Sequence, residues 1–299
     1  MKLSDIRCER LREKDSLTAT KLLSLDADTG HDLLQVLEEE PELLIAAYVD
    51  ETLIALVQLE ASAPQSHLNV FVAPQYRRQG IGRALMQVAE AQLQAGGTRK
   101  ISTSVRSGVS PSLAFARSLG YTPYYSLIYM ERTGGSFPQE TASARLYRDE
   151  DFVDAHSLYA TAFHEMRVRV GCFPDSVVAE PNEGRRTAWA ADAQDRLVYE
   201  LDGKIAAYSH IHGNEISSVS VRSDLQRRGI GRTFMKYLCN EIHRRGYTSV
   251  ILSCVVGNEA IHLYNSLGFQ ETHRMEYMIK SPDNSEHSRS GPALPASLQ

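Results

Sequence analysis

Residues 219–232 read VSVRSDLQRRGIGR, and residues 70–83 read VFVAPQYRRQGIGR. The two segments align without a gap, and each is followed further along by a second matching triplet, Leu-Gly-Tyr ending at Tyr121 or Leu-Gly-Phe ending at Phe269. An offset of about 150 residues is much longer than the repeat of a solenoid. The sequence therefore predicts that a whole domain occurs twice in this chain of 299 residues.

Each copy has the same predicted order of elements. Residues before the glycine turn alternate between apolar and polar, which indicates a strand, and those after it recur at helical spacing. The helical faces consist of Ile81, Leu85, Val88 and Leu93 in the first copy and Ile230, Phe234, Leu238 and Ile242 in the second. The next strands are predicted at Lys100–Val105 and Ser249–Val256, each followed by a short helix that ends at the glycine of the triplet. Each copy is therefore predicted to be an α/β domain.

Turn-forming residues and polar stretches give the predicted domain limits. Residues 1–132 form the first domain and residues 142–280 the second, because glycines, a serine and Pro138 interrupt the pattern in a linker at 133–141. The tail at 281–299 is polar and contains proline, so we expect it to be disordered.

Composition limits the classes of function. A net charge of -5 gives no overall electrostatic attraction to nucleic acid or to an anionic membrane surface. No stretch approaches the roughly 20 apolar residues that a membrane span needs. The four cysteines are scattered without a CxxC pair, and the N-terminus has no apolar signal segment. We expect a cytoplasmic protein with reduced thiols and without a metal site, nucleic-acid partner or membrane partner; the sequence leaves monomer or homodimer open.

The glycine turn predicts a site for an anion. A strand that enters a helix through Gly-x-Gly places unpaired backbone N–H groups and the positive end of the helix dipole around one point, and arginines stand beside it. Other phosphate loops fit less well, since GxxxxGK[ST] is absent and the third glycine of GxGxxG is replaced by Leu85 or Phe234. The alternative is a plain strand-to-helix turn with exposed arginines. Because the Gly-x-Gly pattern occurs twice in the same context, the phosphate site is favoured over this alternative.

These residues resemble the GNAT superfamily of N-acetyltransferases, whose signature is Gln/Arg-x-x-Gly-x-Gly/Ala after a strand, with an Asn, Ala, Tyr and Gly-Phe pattern further along. The matching residues of the second copy are Gln226, Gly229, Gly231, Asn258, Ala260, Tyr264, Gly268 and Phe269. The resemblance covers most of both copies and leaves out the linker and the tail. It implies two tandem GNAT-type domains, each with a mixed, splayed, mostly antiparallel sheet flanked by helices.

The resemblance also implies acetyl-CoA as co-substrate. Its pantetheine arm would lie along the splayed strand Ile216–Val221, and its pyrophosphate would lie on the glycine turn. The implied binding residues of the second copy are Val219, Val221, Gln226, Arg227, Arg228, Gly229, Ile230, Gly231, Arg232, Thr233 and Asn258. Their counterparts in the first copy are Val70, Val72, Arg77, Arg78, Gly80, Gly82 and Arg83.

Acyl transfer to an amine needs a proton acceptor and a proton donor, because a lysine-like amine of pKa about 10.4 is protonated at pH 7. Tyr264 matches the general acid of the family, and Glu215, at the start of the splayed strand, resembles the position of a general base. Either side chain could instead be structural. His210 and His212 are further candidates for the base, and a water molecule is another.

The first copy lacks these groups. Alignment on the glycines puts Ser66, Ser110 and Ala116 where the second copy has Glu215, Asn258 and Tyr264, so we expect chemistry only in the second domain. The predicted activity is transfer of an acetyl group from acetyl-CoA to a primary amine of a small molecule or peptide. The alternative is a non-catalytic acyl-CoA-binding or regulatory protein, and a role like that of mycothiol synthase rests only on the tandem layout.

The residues that select the amine acceptor are expected in the segment Phe152–Trp189 of the second copy. The segment precedes the first long strand of that copy and contains His164, Glu165, Arg167 and Arg169. Its charges are of both signs, so they do not indicate one class of acceptor.

Overall fold

The computed structural model describes residues 5–138 and 143–281. The first repeat contains β1 (Ile6–Arg10), α1 (Ser16–Leu23), α2 (Ala27–Glu39), β2 (Leu44–Val49), β3 (Thr52–Glu60), β4 (Gln65–Val72), α3 (Ile81–Ala95), β5 (Lys100–Arg106), α4 (Ser110–Ser118) and β6 (Thr122–Arg132). The second contains β7 (Ala144–Leu146), α5 (Phe152–Val170), α6 (Glu183–Ala191), β8 (Arg196–Leu201), β9 (Lys204–His212), β10 (Glu215–Val221), α7 (Ile230–Arg244), β11 (Val250–Val255), α8 (Ala260–Ser266) and β12 (Gln270–Lys280). Within the described ranges, none of the helices has the length and apolar content needed to cross a membrane.

The chain folds into two compact units that do not coincide with the two repeats. Unit 1 contains the residues up to Tyr124 together with those from Met275 onward, and unit 2 contains Tyr125–Arg274. Most of β6 therefore belongs to unit 2, and the second half of β12 belongs to unit 1. The linker expected at 133–141 stays a prediction. Its residues 139–141, and the tail expected to be disordered from residue 282 onward, lie outside the described residues.

Each unit contains a mixed, mostly antiparallel sheet. The strand order is β1-β2-β3-β4-β5-β12 in unit 1 and β6-β11-β10-β9-β8-β7 in unit 2. The one parallel pair described in each unit is β4 with β5 and β10 with β11, and the neighbouring pairs are antiparallel. The mixed, mostly antiparallel sheets with their helices confirm the α/β fold class predicted from the sequence.

The parallel pair of each sheet opens along its length. In unit 2, β10 pairs with β11 at one position, Glu215 opposite Ile251. In unit 1, β4 pairs with β5 from Gln65 to His67 and not beyond. Both sheets are therefore splayed at the strand that leads into the glycine turn.

The helix after each turn packs on its sheet by the predicted face. Ile230, Phe234, Leu238 and Ile242 are all buried in the core of unit 2. In unit 1 the corresponding face is also buried, except that Val88 is half-buried. Amphipathic spacing was therefore sufficient to orient both helices.

A buried ion pair fixes the last strand of the chain in unit 1. The Lys280 Nζ donates to Glu90 Oε2 of α3 at 2.6 Å, and the Tyr121 hydroxyl donates to Glu90 Oε1 at 2.9 Å. Glu90 is 5% exposed. Burial and this carboxylate raise the pKa of the Tyr121 phenol. Removing the carboxylate would leave a cation and a hydroxyl without their partner inside unit 1.

We expect Glu90→Ala to lower the free energy of unfolding by about 3–5 kcal/mol, the usual effect of breaking a buried ion pair. Urea denaturation followed by circular dichroism measures this change. The control is Glu271→Ala, which removes an exposed ion pair with Arg274 and should change stability by less than about 1 kcal/mol. Equal effects of the two substitutions would show that Glu90 does not anchor the strand.

Candidate active site

The splayed strand of unit 2 carries a β-bulge. β10 keeps register with β9 up to Ser217 and resumes it at Ser220, so Ser218 and Val219 face a single residue, Ser209. Ser218 has φ of +56°, a left-handed conformation that residues other than glycine rarely adopt. A bulge leaves its extra residue without a ladder partner. Backbone groups at this point of β10 are therefore available to a ligand in the splay.

Two buried serine hydroxyls support the bulge. Ser209 Oγ donates to the carbonyl oxygen of Ser217 at 2.9 Å, and Ser220 Oγ donates to the carbonyl oxygen of Ser218 at 3.0 Å. The sequence analysis missed this feature. The signal that could have revealed it is the run Ile216-Ser217-Ser218-Val219-Ser220, in which serines break the apolar alternation of a buried strand.

The glycine turn leads from β10 into an uncapped helix. Arg227 has φ of +58° and Gly229 has φ of +86°, so the chain passes twice through the left-handed region before α7 begins at Ile230. The N-cap residue, Gly229, has no side chain that could cap this helix. Its first-turn N–H groups therefore remain available, as the sequence predicted for an anion site.

The side chains of the turn divide into bonded and exposed ones. Gln226 Nε2 donates to the carbonyl oxygen of Val221 at 3.1 Å and so ties the turn to β10. Arg232 donates to the Ser266 hydroxyl at 2.8 Å and so ties α7 to α8. Arg227 and Arg228 are exposed. These two arginines could approach a bound phosphate without giving up a contact inside the protein.

The two glycines of the turn differ in how the protein would tolerate a side chain in their place. A Cβ at Gly229 would meet no atom within 4 Å, but the positive φ disfavours any side chain there. A Cβ at Gly231 would lie 3.5 Å from Leu263 and 3.6 Å from Val221, which is ordinary contact. Packing within the protein therefore does not require glycine at 231.

Tyr264 lies in the core of unit 2 beside the splayed strand. It is 7% exposed, packs edge-on against Phe269, and shares a hydrophobic cluster with Val219 and Val221. Its hydroxyl makes no hydrogen bond to another residue in the described part of the chain. Burial, with a smaller contribution from Cys254, raises the pKa of the phenol above 10.0. Tyr264 is therefore protonated at neutral pH, as a proton donor must be.

Asn258 has a local structural role. Its Oδ1 accepts a hydrogen bond from the backbone N–H of Ala260 at 3.0 Å, at the first turn of α8. This is the capping role expected of asparagine at a helix start. Its predicted second role beside pantetheine stays a prediction.

Three candidates for the base lie along the β9–β10 hairpin. Glu215 is half-buried at the closed end of the splay, opposite the exposed His212. The four residue-to-residue steps from Glu215 to Val219 span about 13 Å in an extended strand, so a proton from the bulge region would need a relay. His210 lies 3.1 Å from an Asp192 carboxylate oxygen, and burial and Arg196 lower its pKa. His210 is therefore largely neutral at pH 7.

The segment predicted to select the acceptor forms α5, α6 and the loop between them. His164 Nδ1 lies 3.1 Å from the Ser176 hydroxyl, and the Arg167 guanidinium lies 5.6 Å from the centre of the Phe173 ring. A pocket of about 500 Å³ is lined by α5, including Glu165, and by Arg222 at the end of β10. α5 therefore contributes to a pocket that reaches the residue following the splayed strand.

The turn of unit 1 has the same backbone but different contacts. Arg78 has φ of +62° and Gly80 has φ of +83°. Arg77 donates to the carbonyl oxygen of Val72 at 2.8 Å and to Asp26, the residue before α2, at 2.7 Å. Arg83 donates to the Ser118 hydroxyl at 2.9 Å, which matches the contact of its counterpart in unit 2.

In unit 1 the positions that align with Glu215 and Tyr264 are occupied by residues with structural roles. Ser66 is buried, with its hydroxyl 2.7 Å from that of Thr98. Ala116 is buried in the core. Unit 1 thus has the turn without a proton donor at the position of Tyr264.

Two protein families match parts of this sequence. The Acetyltransferase (GNAT) family matches residues 8–121, and the FR47-like protein family matches residues 199–278. The ribosomal protein bS18-alanine N-acetyltransferase of Escherichia coli strain K12 is 35% identical over an alignment of 75 residues, and the match covers 23% of this chain and 51% of that protein. The chain thus spans about half the length of this curated relative.

Solved structures share the fold over nearly the whole chain. A GCN5-related N-acetyltransferase from Sphaerobacter thermophilus has a TM-score of 0.70 and 18% identity, covering 93% of this chain and 96% of the other. A tandem GNAT protein from the clavulanic acid biosynthesis pathway has a TM-score of 0.60 and 17% identity, covering 92% and 98%. The chain belongs to the GNAT superfamily of N-acetyltransferases, in a tandem two-domain form.

Proposed function

We propose that the protein transfers an acetyl group from acetyl-CoA to a primary amine of a small molecule or peptide, with the chemistry in unit 2. The observation that carries this proposal is the bulged, open strand β10 leading directly into the uncapped N-terminus of α7. Acetyl-CoA is a thioester with a long amide-containing arm and a pyrophosphate, and it matches both features. The open strand β10 offers backbone partners to the amides, and the N-terminus of α7 offers N–H groups to the phosphates.

The residues of unit 2 fit the co-substrate as follows. The N–H groups of Ile230, Gly231 and Arg232 would hold the pyrophosphate, with Arg227 and Arg228 beside it. The opened edge of β10 around the bulge would bond the pantetheine amides. Bound there, acetyl-CoA supplies an activated acyl group. The same binding role for Val70, Val72, Arg77, Arg78, Gly80, Gly82 and Arg83 of unit 1 stays a prediction.

The chain itself would supply the proton transfers. Tyr264 is buried, protonated and without a hydrogen bond to another described residue, so its hydroxyl can donate to the departing thiolate. A backbone N–H at the bulge can stabilise negative charge that develops on the acyl oxygen. The amine must lose a proton to Glu215, to a histidine or to water.

The weakness of these bases favours acceptors with a low amine pKa. At pH 7 an α-amine of pKa about 8 is roughly one tenth unprotonated, whereas a lysine-like amine of pKa about 10.4 is less than about one thousandth unprotonated. An α-amine therefore requires much less of the base. The Escherichia coli relative is named for acetylating an alanine, so we place peptide N-termini and amino acids first among the candidate acceptors.

The direct test is an acyl-transfer screen of the purified full-length protein against amino acids, peptide N-termini, polyamines and aminoglycosides. Free CoA and the mass of the acetylated product are measured against reactions without protein. We expect amine-dependent release of CoA with at least one acceptor. Tight binding of acetyl-CoA without release for any of them would instead favour the alternative, an acyl-CoA-binding or regulatory protein.

Gly229→Asp should weaken acetyl-CoA binding at least about tenfold, or about 1.4 kcal/mol. Aspartate tolerates positive φ better than most residues and suits a helix N-terminus, but its carboxylate repels a phosphate. Gly80→Asp in unit 1 is the matched control, because Gly80 has nearly the same φ and equal open space. Calorimetry and turnover should change for Gly229→Asp and remain mostly intact for Gly80→Asp. The reverse pattern would move the active site to unit 1.

Tyr264→Phe should lower kcat about 10²-fold to 10⁴-fold while acetyl-CoA affinity stays nearly constant, because the ring remains and only the proton donor is lost. Since the pKa of Tyr264 is raised, kcat of the native protein should show no loss from phenol ionisation up to about pH 9. Tyr237→Phe, in α7, is the control and should keep native kcat. Lost binding with normal turnover at saturation would mean that Tyr264 only packs.

Glu215→Gln should remove the acidic limb from the pH profile of kcat/KM. A carboxylate accepts a proton only when ionised, so activity falls as the pH drops through its pKa, and glutamine has no such transition. His210→Gln is the comparison: because the pKa of His210 is lowered, a limb due to this ring would lie below pH 6.5. A limb that survives Glu215→Gln and disappears in His210→Gln would assign the base to the histidine.

A further inference from the structure

The splayed strand of unit 1 is straight where that of unit 2 is bulged. β4 pairs with β3 in continuous register from Val72 to His67. The residue aligned with Ser218, the bulge residue of β10, is Asn69. Phe71, buried in the core of unit 1, replaces Ser220, whose hydroxyl supports the bulge in unit 2. Unit 1 thus lacks the local geometry that opens the strand edge to a ligand.

The Asn69 carboxamide bridges the gap between β4 and β5. Its Oδ1 accepts hydrogen bonds from the backbone N–H of Ser104 at 3.0 Å and from the Thr103 hydroxyl at 2.9 Å. Its Nδ2 lies 2.9 Å from Ser104 Oγ. The register of β4 with β5 ends two residues earlier, at His67. An internal amide therefore occupies the splay where the amides of a pantetheine arm would otherwise bond.

Further polar groups hold the carboxamide in place. Asn69 Nδ2 also contacts Gln58 Oε1 at 3.2 Å and His67 Nε2 at 3.0 Å, and His67 Nδ1 lies 3.0 Å from Ser102 Oγ. Burial lowers the pKa of His67 to about 4, so the ring is neutral and Nε2 can accept when Nδ1 carries the proton. Displacing Asn69 would leave several buried polar groups without partners, which is costly.

Little space remains beside this bridge. The cavity lined by Asn69, Val70 and Thr103 has about 80 Å³, compared with the roughly 300 Å³ at which small-molecule sites begin. Phe115, which aligns with Leu263 of unit 2, also lines this cavity. Its ring would lie 3.2 Å from a Cβ atom at position 82. Asp28 and Asp32 also line the cavity, and their charge disfavours an anionic ligand. The acyl-CoA arm does not fit unit 1.

We propose that Asn69 closes the splay of unit 1 to the pantetheine arm, so that one chain binds one acyl-CoA, in unit 2. The inference rests on the proposed function, because it takes acyl-CoA as the ligand of the open splay. This proposal replaces the acyl-CoA-binding role predicted for the strand and turn of unit 1. The turn then acts as structure: Arg77 joins it to Asp26 at the start of α2 and to the end of β4.

Calorimetric titration of the full-length protein with acetyl-CoA tests the stoichiometry. We expect one site per chain in the native protein and at least about a tenfold loss of affinity in Gly229→Asp, with no other site appearing. Two sites, or one unchanged site in Gly229→Asp, would overturn the inference while leaving acyl-CoA binding itself intact. No binding by the native protein would instead overturn the proposed function.

Asn69→Ser in the Gly229→Asp background tests the residue itself. Serine is the aligned residue of unit 2 and is too short to bridge the gap, so a new, weaker acetyl-CoA site should appear. Gln58→Ala in the same background removes a member of the network that contacts Asn69 from β3, and it should create no site. Near-UV circular dichroism verifies that each variant is folded. A folded Asn69→Ser variant without a new site would contradict the assignment of Asn69 as the barrier.

A measurement on the native protein remains decisive if Asn69→Ser does not fold. Irradiation with an acyl-CoA that carries a photoreactive acyl group, followed by peptide mapping, should label peptides within residues 215–264. Competition with excess acetyl-CoA should abolish that labelling. Competable labelling of peptides within residues 65–106 would overturn the proposal.

Discussion

Two parallel strands that pair at one end only, β10 and β11, determine where the proposed functional groups of unit 2 lie. Once the strands part, the backbone of β10 needs other partners, and the bulge at Ser218 turns its polar groups out of the ladder. Each strand then leads into a helix beside the opening. α7 begins with uncapped N–H groups, and α8 carries Tyr264 into the cluster that includes Val219. The proposed anion site, amide-binding edge and proton donor thus all lie where β10 and β11 stop pairing.

The two repeats show how few changes separate an open splay from a closed one. Both keep the glycine turn with nearly equal backbone angles, so the turn alone does not distinguish them. The difference lies in the strand before the turn. Serines support a bulge in β10, whereas β4 runs in continuous register and Asn69 bridges it to β5. Unit 1 is nevertheless required by the architecture, because unit 2 takes β6 from the first repeat and unit 1 takes the end of β12 from the second.

The sequence was informative where a residue type or its spacing determines the local structure by itself. Gly229 predicted the turn before α7, and Gly268 predicted the end of α8; both have the positive φ that other residues rarely adopt. Phe234 and Leu238 predicted a buried helical face from their spacing. Internal repetition, together with the resemblance, gave the fold class. Tyr264 could be singled out from its motif, and the structure adds that the residue is 7% exposed and that its hydroxyl has no hydrogen-bond partner among the described residues.

The features missed depend on partners distant in sequence. Ser218 is not a residue type that predicts positive φ; its conformation follows from register with β9 and from the hydroxyls of Ser209 and Ser220. From the sequence, Asn69 is one polar residue in a predicted strand. Its bridging role depends on Thr103 and Ser104 of β5, which only the structure places beside it. Similarly, nothing in β6 or β12 indicates which sheet each will join, because both strands carry similar apolar patterns and pairing is decided by the assembled units.

The most direct measurement of the central claim is hydrogen–deuterium exchange of the full-length protein with and without saturating acetyl-CoA, resolved by peptide. If the splay and turn of unit 2 hold the ligand, backbone amides within residues 216–233 should exchange more slowly in its presence. Peptides within residues 67–84, which contain the equivalent strand and turn of unit 1, should exchange at unchanged rates. Protection of residues 67–84 without protection of residues 216–233 would contradict the account.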